Sequence, residues 1–287
     1  MGIEMVQETW LVEPGQSKTI DLELVRSLKV GLVGGTIDVI AHDEPGCRVE
    51  VHEVTVKELT VSIDGDRLEI DHLQKNWVDN FVEAFKVWTG RARAEVSVLV
   101  PRDVALKLGV VSASAFVSGI RADVRMSTVS GELVADGTAG DLDLNSVSGE
   151  LSARDHSGRI RMHTVSGDVT ASGAITRFSG DGVSGDIFLD LDGAPDHVTI
   201  NTVSGDLALR LDESVGVHCR VNSVSGRIQF DDTVYRAQAG KPFAYETGSG
   251  DGKRVDVSLN SVTGNVSVVR QAPSAASSAE TANGAPA

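Results

Sequence analysis

Hydrophobic and polar residues alternate with a period of two along most of the chain. Successive side chains on a β-strand point to opposite sides, so this pattern predicts strands with one buried face. In the first third, alternating runs such as TIDVIAHD and AEVSVLV are separated by turn-forming clusters, including DEPG, IDGD and VPRD. Further along, the runs become shorter and recur at a regular spacing. The pattern therefore predicts an all-β protein.

A Val-Ser-Gly triplet repeats through the second half of the chain. The copies are Val129-Ser130-Gly131, Val147-Ser148-Gly149, Val165-Ser166-Gly167, Val183-Ser184-Gly185, Val203-Ser204-Gly205, Val224-Ser225-Gly226 and the variant Val262-Thr263-Gly264. Their glycines are separated by steps of 18, 18, 18, 20, 21 and 38 residues, and the last step corresponds to about two turns. Between the first copies, Gly140 and Gly158 reduce the spacing to nine. Such self-similarity is typical of solenoid proteins.

The nine-residue unit predicts one short strand and one corner. In the segment 147–153, the odd-numbered residues from Val147 to Ala153 are expected on the inner face and the even-numbered residues on the outer face. Because nine is odd, the alternation must shift once per unit. We place this corner at the polar pair before each valine, such as Asn145-Ser146.

Two strands and two corners predict a parallel β-solenoid with about 18–20 residues per turn, whose rungs stack about 4.8 Å apart. Asparagines at equivalent positions should form hydrogen-bonded amide columns; these are Asn145, Asn201, Asn222 and Asn260. We expect one solenoid domain over residues 1–270, with an irregular part at 1–115 and regular repeats at 116–270. The Ala- and Ser-rich residues 271–287 are predicted to be a disordered tail.

One segment departs from the strand pattern. Residues 75–89 have helix-like apolar spacing and predict a short amphipathic helix that contains four of the chain's twelve aromatic residues: Trp77, Phe81, Phe85 and Trp88. Three interpretations stay open for it. The insert packs on the solenoid, forms a partner interface, or touches a membrane.

Composition supports a thin core. Glycine is frequent, at 30 of 287 residues, and aromatic residues make up only 4%, as expected for narrow layers of Val, Leu, Ile and Ala. The net charge of −15 argues against nucleic acid and anionic membrane surfaces, because both require clustered basic residues. No signal peptide and no apolar run long enough for membrane insertion is visible. With Cys47 and Cys219 interpreted as buried thiols, we expect a cytoplasmic protein.

An acidic residue follows most of the repeat glycines and forms a candidate interaction face: Glu132, Glu150, Asp168, Asp186 and Asp206. One interpretation is that these acids keep exposed strands soluble. The other is that they bind a cation or a basic partner. The repeats lack the glycine-rich calcium-binding nonapeptide, so we predict no metal site.

Catalytic motifs are missing from the sequence. There is no nucleophile elbow and no H-E-x-x-H zinc motif. The GSGDG sequence at 248–252 lacks the Lys-Ser/Thr ending of a phosphate-binding loop. An acid in every turn is not the pair of carboxylates in a cleft that a glycosidase requires. We predict no catalytic residues and no cofactor.

The chain resembles the bacterial putative-adhesin β-strand-repeat family, a domain of unknown function, in an actinobacterial-type form. The resemblance is carried by the serial (N/T)-(S/T)-V-S-G-(D/E)-(L/V/I) motifs from 127 to 265, by the GTIDVIAHDEP segment, and by Val98, Val100 and Pro101. It covers about 20–270 and implies a repeat fold with an adhesin-like role.

The residues and the resemblance together favour a non-enzymatic binding or scaffold protein with a protein or carbohydrate ligand. Two alternatives remain. The first is a self-assembling filament or homo-oligomer, since solenoid ends can stack head to tail. The second is a carbohydrate-active β-helix enzyme.

Overall fold

The computed structural model describes residues 7–72, 92–248 and 254–271, and these residues form 26 β-strands in two sheets of 13 strands each. The prediction of an all-β solenoid is confirmed. None of the described residues belongs to a helix that could cross a membrane. The predicted helical insert at 75–89 lies outside the described residues. Gln271 ends the last strand, and the rest of the predicted tail also lies outside them.

The first sheet contains, in spatial order, β1 (Gln7–Val12), β6 (Leu59–Asp64), β7 (Arg67–Asp71), β3 (Ser27–Leu32), β9 (Ala105–Val110), β11 (Val124–Thr128), β13 (Ala139–Ser146), β15 (Ser157–Ser166), β17 (Ile175–Ser184), β19 (His197–Ser204), β25 (Arg254–Thr263), β21 (Gly216–Ser225) and β24 (Phe243–Thr247). The second sheet contains β2 (Lys18–Leu22), β5 (Cys47–Thr55), β8 (Arg93–Pro101), β4 (Gly34–His42), β10 (Ser114–Ser118), β12 (Leu133–Asp136), β14 (Leu151–Arg154), β16 (Val169–Gly173), β18 (Ile187–Leu191), β20 (Leu207–Asp212), β26 (Val266–Gln271), β22 (Arg227–Phe230) and β23 (Thr233–Arg236).

The regular part follows the predicted plan from β9 to β20. The chain alternates between the two sheets, and each strand pairs in parallel with the strand one turn earlier. In the second sheet, Leu133 pairs with Leu151, which pairs with Val169, so one turn takes 18 residues. These side chains are 0–2% exposed and form one column of the core.

The N-terminal part is less regular than a parallel solenoid. Strand β5 is antiparallel to both β2 and β8, and β6 is antiparallel to both β1 and β7. Alternation identifies the buried face of a strand but not its direction, which explains why the sequence pattern did not reveal these hairpins.

The last rungs do not follow the order of the sequence. Strand β25 lies between β19 and β21, and β26 lies between β20 and β22. The 38-residue glycine step was therefore wrongly interpreted as two turns along the axis. Gly264 stacks on Gly205, and Gly226 stacks on Gly264.

The predicted corner is also wrong in position. Asn145 and Ser146 end strand β13, and the corner lies after them. Ser146 is 7% exposed and faces the interior, whereas Val147 is 40% exposed, although we expected it on the inner face. The alternation shifts at Ser148-Gly149, so only the later residues of the 147–153 segment have the predicted orientation.

Candidate functional site: the valine edge

Each regular turn passes from the first sheet to the second through a valine, a serine, a glycine and an acid. The residue before the valine is a buried hydroxyl side chain. Ser146 Oγ accepts a hydrogen bond from the Gly149 N–H at 2.7 Å, and Thr128 Oγ1 accepts one from the Gly131 N–H at 2.7 Å. A buried N–H needs a partner, so the hydroxyl takes the inner position. The valine that follows it then points outward.

The glycine at this corner is required by close stacking. A Cβ atom on Gly149 would lie 2.0 Å from the carbonyl oxygen of Gly131. On Gly185 it would lie 2.3 Å from the carbonyl oxygen of Gly167, and the φ angle of +120° further disfavours any side chain. The backbones of successive rungs therefore meet directly behind the valines.

The outward valines form a continuous line that we call the valine edge. In spatial order its members are Val147, Val165, Val183, Val203, Val262 and Val224, and they are 40–51% exposed. Five rung spacings of about 4.8 Å make the line about 24 Å long. The preceding corner valine, Val129, is only 8% exposed and is not included.

The serines beside the valine edge have their hydroxyl groups engaged. Ser166 Oγ donates to the carbonyl oxygen of Val147 at 3.2 Å, and Ser184 Oγ donates to that of Val165 at 3.3 Å. The same bond recurs in the other rungs, including Thr263 Oγ1 to the Val203 carbonyl oxygen at 3.3 Å. The hydroxyl groups thus hold the rungs together, and the valine side chains remain the outermost groups of the corner.

A polar ladder borders the valine edge on the first sheet. Asn222 Nδ2 donates to Asn260 Oδ1 at 2.7 Å, Asn260 Nδ2 donates to Asn201 Oδ1 at 2.8 Å, and Asn201 Nδ2 donates to Asp181 Oδ1 at 2.7 Å. The predicted amide column is confirmed for these three asparagines. Asn145 stands apart because it pairs with His163 in the next rung.

The predicted acids border the other side of the valine edge. They precede paired strands of the second sheet and are all exposed; they are Glu132, Glu150, Asp168, Asp186 and Asp206. Asp168 Oδ1 accepts the Asp186 N–H at 2.9 Å, and Asp186 Oδ1 accepts the Asp206 N–H at 2.8 Å. These aspartates therefore bond the stacked backbones. Their role as an interaction face stays a prediction.

A cavity of about 420 Å³ lies at the C-terminal end of the valine edge. Its floor includes Val224, Val262 and the asparagine ladder, and its wall is the loop between β23 and β24, with Gln238 and Lys241. The second candidate surface cannot be placed in the same way. Its residues Trp77, Phe81, Phe85 and Trp88 lie outside the described part of the chain.

The buried titratable groups are unsuited to chemistry. Burial raises the pKa of the Cys47 and Cys219 thiols to about 12, so both are poor nucleophiles. Burial lowers the pKa of His72 to about 4 and also lowers that of His156. Across residues 7–72, 92–248 and 254–271, no group of three or more His, Cys, Asp or Glu side chains is placed to hold a metal ion.

Sequence reasoning missed the valine edge because it placed the corner too early. Leu142, Leu144 and Ser146 alternate on the inner face of β13. Continuing this count by one residue puts Val147 outside. The signal was therefore present in the strand that precedes the motif.

A model of the Toastrack DUF4097 family matches residues 25–269. The chain belongs to this family. Toastrack DUF4097 is a domain of unknown function, and membership indicates no catalytic class. No curated protein matches the chain in sequence.

Two solved structures share the fold of this Toastrack chain at low sequence identity. A putative cell adhesion protein from Clostridium sporogenes is 15% identical, with a TM-score of 0.27, over 93% of this chain and 100% of the other. A putative lipid binding protein from Parabacteroides distasonis is 14% identical, with a TM-score of 0.47, over 88% of this chain and 97% of the other.

Proposed function

We propose that this Toastrack protein is a non-enzymatic binding or scaffold protein and that the valine edge binds its protein partner. The observation that carries the proposal is the unbroken line of six half-exposed valines. Scattered apolar side chains are normal on a protein surface, but contiguous apolar patches of a few hundred Å² mark interaction sites. A rigid stack of backbones presents this line, so binding requires little ordering of the surface.

The arrangement suits a partner with an extended apolar stripe. The valine edge is straight and regularly spaced, and polar amides border one side of it while carboxylates border the other. An apolar strip with polar borders resembles the centre and rim of a protein interface. The adhesin-like role implied by the family resemblance is compatible with this surface.

A carbohydrate-active enzyme is the less favoured alternative. A glycosidase uses two carboxylates across a cleft, one of them a general acid with a raised pKa. The aspartates beside the valine edge instead lie on an open surface, and each of Asp168, Asp186 and Asp206 accepts a backbone N–H from the next rung. This arrangement favours a structural role for them.

The test replaces valines by threonine, which keeps the shape and the β-propensity but reduces the apolar surface. The triple variant Val165→Thr, Val183→Thr, Val203→Thr is compared with Val234→Thr, since Val234 is 59% exposed on strand β23, away from the corner. Each full-length protein is immobilised, exposed to extract of its native cells, and its bound proteins are quantified by mass spectrometry.

We expect the triple variant to lose a defined set of bound proteins at least several-fold, while Val234→Thr retains them. Equal retention by both variants would refute the valine edge as the binding surface. A parallel variant, Asp168→Asn with Asp186→Asn, tests the acid column separately. Loss in this variant alone would assign binding to the acids.

A further inference from the structure

The position of strands β25 and β26 leaves a gap that the chain fills from outside the order of its turns. Strand β25 pairs with β19 from His197 to Ser204 and with β21 from Gly216 to Ser225. Strand β26 lies in the same way between β20 and β22. Without this strand pair, the neighbouring rungs would stand two spacings, or about 9.6 Å, apart with unpaired edges.

The same segment supplies part of the core. Its inward side chains are 0–2% exposed; they are Val255, Val257, Leu259, Val266 and Val268. An empty position would expose the apolar side chains of both neighbouring rungs together with their backbone groups. The fold therefore requires some strand pair in this position.

The outward side chains of the segment are matched to both neighbouring rungs. Asp256 carboxylate oxygens lie 3.7 Å from His197 Nδ1 and 3.1 Å from His218 Nδ1. Asn260 bonds Asn201 on one side and Asn222 on the other. These contacts on both sides select this particular segment.

The same selectivity extends to the second sheet. Asn265 Nδ2 donates to both carboxylate oxygens of Asp206, at 3.1 and 3.2 Å, and Asn265 Oδ1 accepts the Arg227 N–H at 3.2 Å. A strand of unrelated sequence would lose these bonds. The occupant that fits the gap is therefore this segment, from the same chain or from a second copy.

Chain connectivity does not decide between these two sources. The segment follows β24, which ends at Thr247, and it enters the sheets sideways between rungs that precede it in the chain. We propose that two copies of the protein exchange this segment, so that β25 and β26 of each copy complete the sheets of the other. Exchange adds no new contact type, so protein concentration during folding controls the balance.

The experiment traps the source of the segment with a disulfide. Ser258 faces outward and pairs with Arg220 in the neighbouring rung, and adjacent strands are close enough for the bond. Full-length chains carrying Ser258→Cys alone are mixed with chains carrying Arg220→Cys alone, unfolded, refolded together at increasing concentration and oxidised. A chain with both substitutions reports the intrachain bond. The native Cys47 and Cys219 are buried and do not compete.

A matched control uses two rungs that follow each other along the chain. Ser127 pairs with Asn145 in the same sheet, so chains with Ser127→Cys and with Asn145→Cys are mixed in the same way. Exchange of the C-terminal segment leaves this pair within one chain.

We expect disulfide-linked dimers of the Ser258 and Arg220 variants to increase with concentration, while the control pair stays at background. Light scattering of the unmodified protein should show a matching increase of dimer mass. Linkage no greater than that of the control at every concentration, with an unmodified protein that stays monomeric, overturns the proposal. If Arg220→Cys does not fold, Thr199→Cys probes the other side of Ser258 with the same expected outcomes.

Discussion

Replacing one corner glycine by alanine tests how strongly the stacked backbones restrict the sequence. At Gly185, the added Cβ would lie 2.3 Å from the Gly167 carbonyl oxygen, and the φ angle is +120°. Gly193 is the matched control, because its φ angle is +72° and no atom lies within 4 Å of the added Cβ. Both substitutions strain the backbone, but only the first forces two rungs apart.

The expected magnitudes follow from this difference. A left-handed conformation costs a residue with a side chain about 1–2 kcal/mol, so Gly193→Ala should lower the free energy of unfolding by about that amount. Gly185→Ala adds a clash with backbone, and the neighbouring rung must move by several tenths of an ångström to relieve it. We expect a total loss of about 3–5 kcal/mol, a size typical of overpacking combined with backbone strain.

The assay is urea unfolding of both variants, followed by circular dichroism and compared at unchanged m value. Hydrogen exchange of the amides around Gly167 and Gly185 provides a local readout, since a stacked repeat can open rung by rung. A Gly185→Ala variant that loses no more stability than Gly193→Ala would refute the steric argument. The close approach would then not be the reason for glycine at the corner.

Two further predictions concern the acid column and a buried histidine. Asp186→Ala removes the acceptor of the Asp206 N–H and should cost about 1 kcal/mol, whereas Asp186→Asn keeps an acceptor and should be close to neutral; chemical denaturation of both variants checks this. Burial lowers the pKa of His72 from 6.5 to about 4, so the unfolded chain takes up a proton that the folded chain resists. Stability should therefore decrease as the pH falls below about 6.5, by about 2 kcal/mol at pH 5, and this contribution should level off near pH 4. Unfolding midpoints of the unmodified chain and of His72→Leu check the sign, and an equal acid dependence in both would contradict it.

Much of the architecture follows from local patterns. The alternation of apolar residues predicts strands, and the 18-residue spacing from Gly131 to Gly185 predicts parallel stacking, because identical units bury their apolar faces only against each other. The asparagine ladder was predictable for the same reason. Residues at equal positions in successive turns become neighbours in space.

The side on which the corner valines lie depended on one position. A shift of the alternation by a single residue reverses every side chain between inside and outside. Hydrophobicity suggested that Val147 is inside, but the hydrogen bond between Ser146 and Gly149 takes the inner position for a hydroxyl group. The candidate site was therefore misread from sequence at the residue that defines it.

Strand direction and rung order were decided only by the tertiary structure. The sequence by itself determined that the chain forms short strands, that the regular turns take about 18 residues, and that the core is thin. It did not determine that β5 and β6 form antiparallel pairs or that β25 lies between β19 and β21. Periodicity records which face of a strand is buried, whereas its neighbours are chosen by backbone hydrogen bonds and side-chain contacts between segments distant in sequence.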